Sequence, residues 1–335
     1  MVWSDPEVET VAPGIHRVPV PLPNDGLRAV NVYMIEDGDG VTLVDSGWNG
    51  PEARAAIDRG LAVAGAELGD VHRMLITHMH YDHLGQADEL RRAGAGEYWL
   101  GEEEKESFSI LVTDPVESRR ERLDQLEAHG AVELAEKGRA SDGAVKEPLT
   151  WQPPGRWVAD GEQAPLADGQ LTAILTPGHT RGHLCFLHGD RKILFSGDHV
   201  LPHITPSIGF EPHTNPLALV DFLESQARVA ALDVELVLPA HGEVFTDLVG
   251  RVDELTAHHD VRLDACRAAL SEDGSSAFTA ASRIGWTRRE TPFEELNAFN
   301  QTLAVWETAA HLELLAVRGT VTRRVVDGTI TFTRV

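Results

Sequence analysis

The feature that most constrains this chain is a strand that runs straight into a cluster of histidines. The apolar run Arg73-Met74-Leu75-Ile76-Thr77 leads directly into His78-Met79-His80-Tyr81-Asp82-His83-Leu84-Gly85. Four potential ligands thus fall within six residues, on a loop between a buried strand and a following helix. Alternation along an extended chain sets His78 and His80 on one side. Asp82 and His83, at the turn, then face a second point. Imidazole is the commonest metal ligand near neutral pH, so one ion could use the first pair and another the second. A loop of this kind needs further donors from elsewhere in the chain.

Three other segments have the same form, an apolar strand that ends in a small loop with a histidine or an aspartate. They are Leu175-Thr176-Pro177-Gly178-His179, Leu194-Phe195-Ser196-Gly197-Asp198 and Leu238-Pro239-Ala240-His241-Gly242. Glycine beside each donor lets backbones crowd together. With the first motif they supply five histidines and two aspartates, enough for two ions. No cysteine stands among them, which disfavours a structural zinc finger. Tyr81 and His203 are candidate substrate contacts, and Trp48 a candidate pocket wall. His183 and His199 read as packing or supporting groups, and His258-His259 as solvated residues on a polar helix face.

Around these loops the chain alternates strands and helices, which predicts layered α/β packing. Helices are expected over 51–64, 86–93 and 216–231, with strands at Val30-Asn31-Val32-Tyr33-Met34-Ile35, Val41-Thr42-Leu43-Val44-Asp45, Tyr98-Trp99-Leu100, Arg156-Trp157-Val158 and Leu171-Thr172-Ala173-Ile174-Leu175. Residues 101–150 read as a helical insertion of one or two amphipathic helices, broken near Pro115 and Gly130, that could cover a cleft. Beyond residue 246 the pattern becomes helical, with helices over 251–270 and 303–317. A hairpin then turns on Asp327-Gly328, giving a small winged-helix-like module over 247–335. The expected catalytic unit is 1–246.

The formal net charge of −24 at pH 7 falls almost entirely on residues 1–250. So acidic a surface repels polyphosphates and anionic membranes, which argues against nucleic acid and membranes as partners. Residues 303–317 contain no lysine or arginine to follow a groove. No run of apolar residues is long enough to span a bilayer. Cys185 and Cys266 are too few for a disulfide framework, so a cytoplasmic location is expected.

In its His78, His80, Asp82, His83, His179, Asp198 and His241, and in Val44-Asp45-Ser46-Gly47, the chain resembles the metallo-β-lactamase superfamily over about residues 12–246. The resemblance implies an αββα sandwich with the site at one edge of two facing sheets. It implies His78, His80 and His179 on one ion, Asp82, His83 and His241 on the other, Asp198 bridging them, and Asp45 supporting the ligand loop. The tail, Glu307-Thr308-Ala309-Ala310-His311-Leu312, looks like that of superfamily hydrolases with a C-terminal winged helix. Asp198 stands where the best-known β-lactamase subclass has cysteine, which argues against antibiotic hydrolysis. The metal positions are similar to those of glyoxalase II enzymes, whose glutathione-binding helices have no evident counterpart.

The implied chemistry is hydrolysis of a small-molecule acyl substrate, most readily a thioester or a related ester or lactone. A hydroxide shared by two zinc ions, with iron or manganese as alternatives, would attack the carbonyl, and Asp82 would orient it. The rivals are a metal-dependent nuclease or phosphodiesterase, an iron enzyme of redox function, and a metal-binding regulator.

Overall fold

The computed structural model of the chain describes residues 4–5, 7–23, 27–140, 150–213 and 215–335. A seven-stranded sheet contains β1 (Glu9–Ala12), β2 (Ile15–Pro21), β3 (Ala29–Asp37), β4 (Gly40–Val44), β5 (Val71–Leu75), β6 (Glu97–Gly101) and β7 (Arg156–Val158), in that spatial order. The first four strands pair antiparallel, and β4 to β7 pair parallel. Helices α1 (Pro51–Ala64), α2 (Tyr81–Leu84) and α3 (Ala87–Arg92) connect the parallel strands. Then come α4 (Lys105–Thr113), α5 (Pro115–Ala128) and α6 (Val132–Ala140).

A second sheet of five strands comprises β8 (Gln163–Leu166), β9 (Gly169–Leu175), β10 (Leu184–His188), β11 (Ile193–Gly197) and β12 (Leu236–Pro239), in the order β12-β11-β10-β9-β8. Helix α7 (Ala218–Ala230) links its last two strands. The C-terminal region contains α8 (Leu248–Ala268), β13 (Ser275–Ser276), α9 (Ala277–Ala281), α10 (Ala298–Val317), β14 (Val321–Val326) and β15 (Thr329–Arg334).

The two-residue period of a strand builds the layers. On β3, Val30, Val32 and Met34 point outward to a core shared with Ile57 and Leu61 of α1, while Tyr33 and Ile35 point inward. On β11, Ile193 and Phe195 meet them between the sheets, and Leu194 faces outward to Val229 of α7 and Leu255 of α8. Helix, sheet, sheet and helix thus stack in the expected αββα order.

The two sheets are also laced by polar bonds at one edge. Asn31 Nδ2 donates to the carbonyls of Pro239 and Gly242, both at 2.9 Å, and Tyr33 Oη donates to Pro239 at 2.8 Å. These bonds hold the loop that carries His241 against the first sheet.

The structure departs from expectation in several places. The insertion forms three helices, since Asp114 caps α5 at Pro115 and Gly130 breaks the chain again before α6. Residues 141–149 of the expected insertion lie outside the described residues. The insertion is anchored at both ends: Phe108 of α4 packs on the first sheet's core, and Leu126, Leu134 and Ala135 join the core of the C-terminal region. Strand β8 was not expected; its short Gln163-Ala164-Pro165-Leu166 alternates weakly and includes a proline.

The C-terminal hairpin turns where expected, with Asp327 and Gly328 both at positive φ, 49° and 83°. Helix α8 starts earlier than expected and is shared. Val252 and Leu255 cover the second sheet, whereas Leu263 and Cys266 enter the C-terminal core. Helix α10 is buried along much of its length, from Ala304 through Leu315.

Replacing Asn31 with leucine removes two bonds between the sheets while Tyr33 and Arg17 still serve the two carbonyls. Stability should fall by about 1–3 kcal/mol, read from the urea midpoint at unchanged slope.

Candidate metal centre

Strand β4 runs parallel to β5 in the first sheet and β11 parallel to β12 in the second, and donors from the loops that follow β5, β11 and β12 meet at one edge. Backbone crowding there needs glycine at two positions. Gly178 has φ 133°, and a Cβ would stand 2.4 Å from Phe222; Gly197 has φ 51°, and a Cβ would stand 2.5 Å from His183. Each immediately precedes a donor, His179 or Asp198.

Seven side chains gather at this edge. His78, His80 and His179 form one trio with donor atoms within 4.8 Å of one another, and Asp82, His83 and His241 form another; Asp198 groups with His78 and His83. His179 Nε2 is 3.2 Å from His78 Nε2 and 3.0 Å from His80 Nδ1. Asp198 faces both trios, with Oδ2 3.4 Å from His179 and Oδ1 3.5 and 3.6 Å from His241 and His83. Asp82 Oδ2 lies 3.4 Å from His241 Nε2 and 3.5 Å from His83 Nε2.

The far side of each imidazole is tied down, which sets its tautomer. His80 Nε2 donates to the Phe210 carbonyl at 2.7 Å, His179 Nδ1 to Ser207 at 2.7 Å and His241 Nδ1 to Ala29 at 2.8 Å. His78 Nδ1 donates to the Thr77 hydroxyl at 3.1 Å. Asp45, at φ 63° after β4, accepts from the Thr77 backbone N–H at 2.8 Å and from His83 Nδ1 at 2.9 Å. Carbonyls and carboxylates behind imidazoles are the usual outer partners of metal ligands. The inward atoms are bare: His83 Nε2, His241 Nε2 and Asp198 Oδ1 are buried without a hydrogen-bond partner. Buried polar atoms of this kind are costly unless something charged meets them, so the donor set fits bound metal cations.

The two halves of the cluster differ electrically. Burial, then the neighbouring imidazoles, holds His78 well below the usual histidine range and lowers His80 to about 4. Burial also opposes charge on His83 and His241, but Asp82, Asp45 and Asp198 around the first and Asp198 and Asp82 around the second overcome it and raise both. Asp82 lies well below the ordinary carboxylate range: burial acts upward, and His83 and His241 outweigh it. One trio disfavours charge on its imidazoles, and the other favours it on both imidazoles and on Asp82.

Two candidate substrate contacts stand apart from this cluster. Tyr81 packs edge-on to Trp48 at 4.5 Å and stacks on Trp151 at 5.7 Å, and its hydroxyl bonds to Asn49. His203 is exposed and pairs with Glu243 at 2.8 Å. His183, read from sequence as a supporting group, accepts the Asp198 backbone N–H at 3.1 Å and so fixes Asp198.

Glu104 escaped sequence reading. It is fully buried, accepts from the Thr180 hydroxyl at 2.5 Å and from the Met79 backbone N–H, and burial pushes its carboxyl up to about 8. Met79 lies between two donors and Thr180 follows a third, so one carboxyl joins two ligand loops. Nothing in the run Glu102-Glu103-Glu104 marks its last member.

Glu104→Ala should weaken zinc binding about 10–100-fold, whereas Glu104→Gln keeps an acceptor and most of the affinity; chelator competition reads both. Stability without metal should depend on pH in a set direction. A histidine with a depressed folded pKa is neutral in both states at high pH, so its cost begins as pH falls below about 6.5 and is complete near the folded value. For His80, at about 4, the loss is about 3 kcal/mol. His78, His179 and His183 act in the same direction, while the raised His83 and His241 change stability only above about pH 6.5 and leave that window unaffected. Metal-free protein should therefore lose stability between pH 6.5 and 4, and denaturant midpoints flat over that range would contradict this.

Comparison with known proteins adds sequence and structural relatives. The family model described as the metallo-beta-lactamase superfamily matches residues 25–241. The chain is 24% identical over 331 residues to a protein of Bacillus subtilis (strain 168) named probable metallo-hydrolase YqjP, covering 94% of this chain and 96% of that one. It resembles the crystal structure of a metallo-beta-lactamase family protein from Thermus thermophilus, with TM-score 0.80 and 29% identity over 97% of this chain and 100% of that one. A beta-lactamase domain protein from Burkholderia ambifaria matches with TM-score 0.82 and 28% identity, over 98% and 94% of the two chains.

Proposed function

The chain belongs to the metallo-beta-lactamase superfamily and is a hydrolase, and from that premise we propose a dinuclear enzyme that cleaves a small-molecule carbonyl substrate. A thioester is the foremost candidate, with related acyl esters and lactones next. The observation that carries this reading is Asp198, whose two carboxylate oxygens face different trios while the inward atoms around it lack partners. His78, His80 and His179 would hold one ion, Asp82, His83 and His241 the other, and Asp198 both. Zinc suits these nitrogen and oxygen donors, with iron or manganese as alternatives. Ions so held supply a water acidified to about neutral pH and a Lewis acid for the carbonyl.

The chain's own groups provide the rest. Asp82, kept ionised by His83 and His241, would accept a hydrogen bond from the attacking water and so orient it. Asp45 keeps the His83 imidazole turned to its place. A thiolate departs without a strong general acid, which suits a centre whose carboxylates and imidazoles are all turned inward.

Beside His80, the ring of Phe210 lies 5.6 Å from the imidazole and meets Phe299 at 5.8 Å and Trp306 at 5.7 Å. Phe299 is 58% exposed. This aromatic wall, two of its three rings contributed by α10, suits the apolar part of an acyl group.

Nucleic acid is a poor fit. The acidic charge offers polyanions no track. Helix α10, which would enter a groove in a winged-helix reader, is packed into the protein instead, with Glu313 8% exposed and paired with Arg323 at 2.8 Å. The helix–strand–helix–helix–strand–strand order of residues 248–334 supports a winged-helix-like module used for packing and for the pocket. Among the described residues no helix is long and apolar enough to cross a membrane. Cys185 and Cys266 are unpaired, which suits a reducing compartment such as the cytoplasm.

The test is a hydrolysis panel of acyl-CoA thioesters, acyl-glutathiones, lactones, bis-p-nitrophenyl phosphate and single-stranded RNA, with metal content measured by mass spectrometry. Thioesters should react fastest, and Asp82→Ala should lower the rate on the order of 100-fold or more. Faster turnover of RNA or the phosphodiester than of every carbonyl substrate would reverse the reading. Phe299→Ala should raise KM for long or aromatic acyl groups about tenfold with kcat nearly unchanged, as expected for lost uniform binding.

A further inference from the structure

A second group of metal-type donors lies outside the catalytic cluster, between α8 and α10. Glu307 and His311, four residues apart on α10, share a face, and His259 of α8 meets them. One donor atom from each lies within 4.8 Å of the others. His259 Nδ1 is 3.1 Å from His311 Nε2, a spacing within the range between the imidazoles of the catalytic trio. Nitrogens that share a tetrahedral zinc at about 2.0–2.1 Å stand roughly 3.3 Å apart.

Hydrogen bonding alone does not satisfy this group. His311 Nδ1 donates to the Glu307 carbonyl at 2.6 Å, which turns a bare Nε2 lone pair toward His259. His259 is fully buried, and its Nε2 has no partner. If His259 Nδ1 carries the proton and donates to His311, a bare acceptor remains buried at Nε2. If Nε2 carries it, two lone pairs face each other at 3.1 Å and a donor is stranded. A cation between the facing nitrogens removes that repulsion and turns the close approach of the two imidazoles into an attraction.

The electrostatic setting agrees. Burial keeps both imidazoles neutral, His259 lowered to about 2 and His311 to about 4, and pushes the Glu307 carboxyl up to about 7. The carboxyl is therefore short of positive charge, although Arg262 is near. That guanidinium is partly turned elsewhere, 4.3 Å over the Trp286 ring and with Nη1 bonded to the Gly285 carbonyl at 2.9 Å, while its buried Nη2 has no hydrogen-bond partner. The ring of Phe222 closes another side, 5.5 Å from His259.

We propose that His259, Glu307 and His311 form a separate structural site for a zinc-class divalent cation that clamps α8 to α10. Two imidazoles and a carboxylate suit zinc or a similar transition ion better than calcium or magnesium. The site's place in the C-terminal core makes it a staple taken up with folding, and it does not depend on the hydrolase reading.

The full-length chain is saturated with zinc, desalted and assayed by mass spectrometry, wild type beside Glu307→Gln and His311→Gln. Each variant should contain one zinc fewer per chain than wild type while keeping the wild-type far-ultraviolet circular dichroism. The readout is a difference, so it does not depend on how many ions the other cluster takes. Equal zinc content in folded variants and wild type would overturn the proposal. Should the variants fail to fold, crystals of the wild-type chain decide it by anomalous scattering at the zinc edge. A peak between α8 and α10 supports the site, and a peak only at the catalytic cluster overturns it.

Discussion

The structure depends on the Asp45 carboxylate. At a left-handed backbone position just beyond β4, it holds the first residue of the ligand loop through the Thr77 backbone N–H and the middle of the cluster through His83 Nδ1. One buried anion therefore sets the path by which β5 leaves its sheet and the direction in which an imidazole points. Non-glycine residues at positive φ are costly, and here the cost is met by two bonds that no extended conformer would make. Everything else at the edge is arranged around that anchor. Asn31 and Tyr33 bring the β12 loop across, His183 holds Asp198 by its backbone, and Glu104 couples the loops of Met79 and Thr180.

Sequence reading reached the donors because their identity is chemical and their spacing local. His78-Met79-His80-Tyr81-Asp82-His83 follows an apolar strand, and the same strand-then-donor pattern recurs three times, so the convergence could be anticipated without coordinates. Helix α1 was legible from Pro51, which suits a first helical turn, and the final hairpin from Asp327-Gly328. What sequence could not show was which polar residues lie inside. His258-His259 reads as a solvated pair, yet His259 is buried because α10 lies over that face. Glu104 looks like its two acidic neighbours until Gly182 brings the Thr180 loop against it. Burial of a polar group is a tertiary event, and local pattern carries no trace of it.

The C-terminal region shows the same limit on a larger scale. Its connectivity follows from helices and a turn that are visible in sequence, but its role does not. A helix without lysine or arginine could still have faced solvent; instead α10 packs against α7, α8, α9 and the insertion. The insertion, whose acidic helices looked fit to cover a cleft, spends Leu126, Leu134 and Ala135 on this same core. The second half of the insertion and much of the C-terminal region therefore share one hydrophobic core, while Phe108 and Val252 tie each to the sandwich.

That shared core gives α10 two tasks along one axis. Its N-terminal turns bring Phe299 and Trp306 to Phe210, whose carbonyl accepts the Nε2 proton of His80. One turn further on, Glu307 and His311 face His259 across the helix pair. A rigid helix transmits displacement along its length, so what fixes α10 against α8 also fixes the aromatic wall beside a metal-ligand candidate. Hydrophobic packing alone would set the depth of α10 but tolerate rotation and sliding among similar side chains. A directional tie between two helices removes that freedom, because imidazole and carboxylate must meet at one point. The polar trio inside an otherwise apolar core is thus placed where it can hold the Phe299 and Trp306 rings in register with Phe210 and His80.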